Sequence, residues 1–261
     1  MSAVNSMTVR PEAAPAWGRV RRWWMALLEF FLPRLCLFCG AAVGELAPQA
    51  LCPACEAKID WVASPICTCC GAIFAARECQ DRRCGPCQTE PPPFKRARAL
   101  AVYDGPPATA IKRLKFNRQM VYLPVMHSWL KSPVGQEMAA AADLAVPVPL
   151  HTRRLKQRGF NKSLFLAQAF PDLPLERDAL VRMRHTRPQV GLNPKERRDN
   201  VKGAFEVALP ERIRGKRVLL IYDLFTTGAT VLECARVLRR AGAAQVEVLT
   251  VARTRPEGSR V

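Results

Sequence analysis

Acidic residues are scarce in this chain. Its 261 residues hold 22 Asp and Glu against 40 Lys and Arg, a formal charge of +18. That deficit points to polyanionic partners: nucleic acid, phosphorylated ligands or an anionic surface. It is also uneven. Residues 1–87 carry 9 basic and 7 acidic side chains, whereas 88–261 carry 31 and 15, so the anion-facing surface belongs to the second part.

Long apolar runs are lacking too. Trp23–Leu32 is too short to span a bilayer and contains Glu29. No small-residue cleavage site precedes Pro33, and Arg21-Arg22 does not sit in a twin-arginine context. These absences argue against a transmembrane segment and an export signal, and the expected compartment is the reducing cytoplasm. Residues 17–32 read as an amphipathic helix packing on the protein, after a disordered stretch at 1–16. A Walker A loop and a GxGxxG fingerprint are both missing, which sets aside the P-loop and dinucleotide-binding classes. The three histidines (His127, His151, His185) are scattered, and His151 and His185 read as solvated surface groups. Disorder of the whole chain is excluded by its 49% hydrophobic content.

Cysteine is plentiful but confined: ten of eleven lie between Cys36 and Cys87, and Cys234 stands alone. Cys36 and Cys39 form one CxxC knuckle and Cys52 and Cys55 the next; Cys67 with Cys70 and Cys84 with Cys87 repeat the pattern. Each knuckle can turn two thiolates toward one ion, and two knuckles complete a tetrahedral sulfur site suited to Zn2+. In a reducing compartment this reads as one or two structural zinc ions rather than disulfides. The fourth coordination position is filled, so zinc catalysis is not expected. Cys69 and Cys79 are extra, and Cys79 could replace Cys84 as a ligand. Glu90-Pro91-Pro92-Pro93 punctuates the chain as a linker. The expected organisation is a tail and helix over 1–33, a double zinc-ribbon module over 34–90 and an α/β domain over 94–261.

In that last part, strands are expected at Arg98–Tyr103, near Asp143–Leu150, at Arg217–Tyr222 and at Gln245–Ala252. Helices are expected at Pro107–Phe116, Asn161–Ala169 and Thr227–Ala241. The alternation implies a parallel sheet with helices on both faces. The basic stretch 182–203 has few apolar anchors and reads as a mobile loop or hairpin.

The most informative stretch follows the apolar run Val218–Ile221. Tyr222 and Asp223 end the strand, and Thr226-Thr227-Gly228-Ala229-Thr230 turns into a helix. First-turn amides of a helix are unpaired donors carrying partial positive charge. A glycine admits an anion close to the backbone, and the threonines add hydroxyl donors. This is a monophosphate cradle, with Asp223 placed to accept hydrogen bonds from ribose hydroxyls.

Strand-Asp-x-x-Thr-Thr-Gly-Ala-Thr resembles the phosphoribosyl-pyrophosphate (PRPP) motif of type I phosphoribosyltransferases. The order of parts over 34–255 is similar to the ComF/GntX family, called competence protein F in transformable bacteria. The pieces that carry the resemblance are the four knuckles, Tyr103-Asp104-Gly105 with Lys112–Phe116, and Val146–Leu150. They continue with Arg154-Leu155, Arg158–Asn161, Thr186 with Gln189, and Arg197–Asn200 leading to Gly203–Phe205. The resemblance implies a phosphoribosyltransferase-like, Rossmann-like sheet behind a zinc-ribbon module. It implies that Thr226–Thr230 hold a 5-phosphate, that Asp223 holds the ribose, and that Arg154 and Arg158 approach a pyrophosphate accompanied by Mg2+. It further implies that 184–198 closes over the ligand. A role in DNA uptake is implied, with single-stranded DNA and uptake proteins as partners. The alternative is a non-catalytic accessory protein that binds single-stranded DNA. Three departures bear on phosphoribosyl transfer: Tyr222 replaces the first acid of the motif, Thr226 stands where purine-salvage members carry an acid, and Lys162 replaces the usual Gln.

Overall fold

The computed structural model describes residues 34–44, 50–74, 80–187 and 191–255, together with Trp24. The expected tail and helix over 1–33, Trp24 apart, lie outside that range, as do Cys79 and Gln189. Two compact units result, Met1–Cys52 and Pro53–Val261.

In the first unit, the knuckle at Cys36 closes on itself. The Gly40 amide donates to the Cys36 carbonyl at 2.9 Å, and the Cys52 amide donates to Cys36 Sγ at 3.4 Å.

The second unit is organised by a four-stranded parallel sheet. Its strands are β1 (Arg96–Val102), β2 (Leu144–Pro147), β5 (Arg217–Phe225) and β6 (Gln245–Arg253), in the order β1-β6-β5-β2. A short antiparallel pair, β3 (Leu180–Arg182) and β4 (Phe205–Val207), stands apart from it. The central strands are apolar on both sides because both sides are covered. On one face, Val218 and Leu220 of β5 align with Val246 and Val248 of β6. They share a core with Val231, Cys234, Ala235 and Leu238 of the last long helix, Ala229–Arg240. On the other face lie the helices Leu123–Leu130, Pro133–Ala140 and Lys162–Ala167. They contribute the fully buried Met126, Leu130, Met138 and Leu166. Each such side chain stabilises by about 1.5–3 kcal/mol.

The longer helices are α1 (Gly105–Asn117), α2 (Leu123–Leu130), α3 (Pro133–Ala140), α4 (Thr152–Arg158), α5 (Lys162–Ala167), α6 (Pro194–Val201) and α7 (Ala229–Arg240). Local chemistry sets their starts. The Asp104 side chain accepts from the Gly105 amide, and prolines occupy the first turn of α1. α6 lies inside the segment read from sequence as a mobile loop or hairpin. Its start is fixed by a capping box, Asn193 with Glu196, while only Val201 is buried. The hairpin part of that reading corresponds to the pairing of β3 with β4, Arg182 opposite Phe205.

An edge strand needs cover, and β1 receives it from residues 60–71. The Val62 amide donates to the Leu100 carbonyl at 2.9 Å, and the Val102 amide to the Asp60 carbonyl at 2.8 Å. Further along, the Ala97 amide donates to the Cys69 carbonyl at 2.7 Å. Gly71 makes this approach possible: a Cβ there would sit 2.7 Å from the Ala97 carbonyl oxygen. Cys67, Cys69, Cys87 and Phe94 join the sheet's core, so the second ribbon is built into the α/β unit.

Candidate functional site

The described residues contain two four-cysteine clusters: Cys36, Cys39, Cys52 and Cys55, and Cys67, Cys70, Cys84 and Cys87. In each, the four Sγ atoms lie within 4.8 Å of one another. Burial pushes the thiols of Cys36 and Cys67 up, but backbone amides overcome it. The amides of Cys52, Phe38 and Cys39 bring Cys36 down to about 6, and those of Cys84, Cys70 and Cys69 do the same for Cys67. Donors aimed at sulfur are what a zinc thiolate requires. Each quartet is therefore a structural Zn2+ site, and Cys84 gathers with the second quartet. Cys69 does not; its Sγ faces the Lys95 carbonyl at 3.7 Å.

The candidate site lies at the carboxyl end of β5, where ligands of parallel α/β sheets bind. Gly228, between β5 and α7, has φ +77°, and a Cβ there would lie 2.7 Å from the Phe225 ring. Only glycine meets both demands. Gly228→Ala is expected to cost about 1–3 kcal/mol in stability, read by thermal melting, because the turn must open. Phe225 is itself held by Arg253, whose guanidinium carbon lies 5.2 Å from the ring centroid. Arg253 also donates to the Cys70 carbonyl at 2.8 Å, so one side chain joins the second zinc ribbon to the residue that packs under the Gly228 turn.

Asp223 is 3% exposed. Its Oδ2 is ion-paired with Lys162 Nζ, and its Oδ1 is buried with no hydrogen-bond partner among the described residues. Lys162, the first residue of α5, is 4% exposed and lies 5.2 Å from the centroid of the Tyr222 ring. Burial lowers its ammonium to about 8, although Asp223 pulls it up. Tyr222 is held far on the neutral side, first by burial and then by the Asp223 charge. Its phenol can donate a hydrogen bond but supplies no charge.

These groups open onto a cavity of about 610 Å³. Its lining includes five cations (Lys112, Arg113, Lys115, Lys162 and Arg197) against one acid, Asp223. Of the residues singled out in sequence, Tyr222, Asp223, Thr226, Gly228, Ala229 and Thr230 line it. Thr227 does not; its hydroxyl accepts from the Ala229 amide at 3.4 Å. Arg154 and Arg158 are also outside the lining. Arg158 still feels the Asp223 charge, although burial lowers it overall. Arg154 instead ties α4 to the expected closing segment, donating to the Thr186 carbonyl at 2.8 Å. His151 and His185 meet across the same gap, with ring centroids 5.2 Å apart. Lys115 was quoted in sequence only as part of Lys112–Phe116. Burial lowers its ammonium and the Asp223 charge opposes that, which marks it as a cavity-facing cation.

Residues 27–88 match the model of the double zinc ribbon domain. The chain is 33% identical over 242 residues to "DNA utilization protein YhgH" of Escherichia coli O157:H7, covering 85% of this chain and 98% of that protein. It is 28% identical over 235 residues to "Competence protein F" of Haemophilus influenzae, covering 87% of this chain and all (100%) of that protein. Among solved structures, a glutamine phosphoribosylpyrophosphate (PRPP) amidotransferase from B. subtilis overlaps 54% of this chain and 30% of its own, at 20% identity and a TM-score of 0.35. The parallel sheet with helices packed on both faces is the α/β architecture expected above. With a double zinc ribbon in front of that domain, and relatives matched over nearly their whole length, the chain belongs to the ComF/GntX (competence protein F) family.

Proposed function

We propose that this protein binds a 5-phosphorylated ribose, with PRPP as the fullest ligand, in the cavity at the end of β5. The observation that carries the reading is Asp223 Oδ1: a buried carboxylate oxygen without a partner, beside a glycine-led helix start and a ring of cations. A buried acceptor left unpaired is costly, and ribose hydroxyls are donors that would satisfy it. The 5-phosphate would lie over the start of α7, facing the hydroxyls of Thr226 and Thr230. Lys112, Lys115 and Arg197 would face a pyrophosphate at C1 and stabilise charge developing on it as it leaves. Thr226 offers no carboxylate to deprotonate an acceptor, so any acceptor must arrive already nucleophilic. The Mg2+ implied by the family resemblance would have to arrive with the pyrophosphate, because the lining supplies one carboxylate.

Calorimetric titration tests the reading. Ribose 5-phosphate should bind and unphosphorylated ribose should not. 2-Deoxyribose 5-phosphate should lose about 1.5–3 kcal/mol, the worth of one hydrogen bond to a charged group. Equal binding of the ribose and deoxyribose phosphates would remove Asp223 from the site.

A second reading concerns DNA. The names of the relatives and the excess of basic residues after Pro93 favour a part in DNA uptake or use, with single-stranded DNA and uptake proteins as cytoplasmic partners. Among the described residues no helix is long and apolar enough to cross a membrane. The salt dependence of oligonucleotide binding separates specific contact from none, because each neutralised phosphate of a single strand steepens it by about 0.7 in log–log slope.

A further inference from the structure

Lys162 sets an ammonium on the one carboxylate of the cavity lining, and this further step rests on the ribose-phosphate reading above. Two observations place the lysine. Asn161 caps α5, accepting from the Ser163 amide at 3.1 Å and donating to the Val148 carbonyl at 3.2 Å. That anchors the helix start on the loop leaving β2, next to β5 in the sheet. From there the Lys162 side chain runs to Asp223, a cavity-lining residue, and its ammonium takes one carboxylate oxygen while the other is buried with no hydrogen-bond partner among the described residues.

The surroundings do not suit Mg2+. That ion demands near-octahedral oxygen ligands and is bound through carboxylates and phosphates. The lining offers a single carboxylate, and its charge is already met by an ammonium inside the chain. Tyr222, which follows Ile221 where the motif otherwise has an acid, adds no negative charge. The Asp223 charge is also felt by the cations of Lys115 and Arg158. A divalent ion placed at Asp223 Oδ1 would meet a fixed ammonium on the same carboxylate.

We infer that Lys162 replaces the divalent cation at the sugar side of this site, so that the protein binds ribose 5-phosphate ligands, PRPP included, without Mg2+. The ammonium occupies one oxygen of Asp223 and leaves the other for the ribose hydroxyls. The cationic lining meets the phosphates directly.

The test uses the zinc-loaded full chain, with Mg2+ removed from buffers by resin so that the cysteine-bound zinc stays in place. PRPP is titrated calorimetrically with and without Mg2+. The wild-type Kd should differ by less than about threefold between the two conditions, under half of the 1.4 kcal/mol that a tenfold change represents. Lys162→Gln should lose at least about tenfold without Mg2+ and regain part of it when Mg2+ is added, while Lys162→Arg keeps Mg2+-free binding. Rescue by the metal is a response that a merely structural role would not give. Wild-type binding that requires Mg2+ overturns the inference and leaves the ribose-phosphate reading intact. Absence of binding under both conditions, for PRPP and ribose 5-phosphate alike, overturns both. The wild-type comparison decides the matter even if Lys162→Gln does not fold.

Discussion

Asp223→Ala is expected to destabilise the protein by about 3–5 kcal/mol and to abolish ribose-phosphate binding. The loss of stability comes from Lys162, left 4% exposed and without its partner. Adding Lys162→Met to that variant should restore much of the stability, because an apolar side chain needs no counter-charge there. It should not restore binding. Denaturant unfolding and calorimetry on the single and double variants therefore separate the structural contribution of the pair from its part in ligand recognition.

The same pair makes a prediction about pH. Lys162 ionises at about 8 in the folded chain against an ordinary 10.5, lowered by burial and partly held up by Asp223. The neighbouring Lys115 and Arg158 charges lower it further. Between about 8 and 10.5 the unfolded chain binds a proton that the folded chain does not. The lysine's contribution to stability therefore rises with pH across that window. Ligand affinity should move the other way, falling as pH passes about 8 and the ammonium is lost. Parallel titrations of stability and affinity would show the two trends diverging; a shared fall would contradict the assignment.

Removing zinc should have an effect at least as large. Structural zinc contributes roughly 10–16 kcal/mol in isolated finger peptides, as much as the whole stability of a typical domain, about 5–15 kcal/mol. Here the second ribbon is not a free appendage. It covers β1 through Cys69 and lends Cys67, Cys69 and Cys87 to the sheet's core. It also holds Arg253 through the Cys70 carbonyl. Chelation should expose the β1 edge, promote aggregation and loosen Phe225 beneath the Gly228 turn. Cys67→Ser should reproduce this loss, whereas Cys69→Ser should retain zinc, since Cys69 is outside the quartet. Zinc stoichiometry and melting curves on the two variants check the distinction.

The chemistry that sits within a few residues was legible in the sequence. CxxC knuckles, the apolar run of β5 and the helix start after Gly228 each carry their physical requirement locally, and each is present in the structure. What required three dimensions is of two kinds. α6 was hidden because its stabilisation is a capping box and one buried valine, with no apolar stripe to announce it. The Lys162–Asp223 pair and the cover of β1 join positions far apart in the chain. They depend on which strands are neighbours, and neither leaves a periodic trace. Lys162 was visible only as a departure from a pattern, and its partner became apparent once β2 lay beside β5.

The central claim is that the end of β5 and the start of α7 hold a 5-phosphorylated ribose. A crystal structure with ribose 5-phosphate tests it most directly. The account predicts the phosphate over the start of α7, with a ribose hydroxyl donating to Asp223 Oδ1 and Lys162 still on Oδ2. Phosphate bound elsewhere, or a ribose turned away from Asp223, would contradict it.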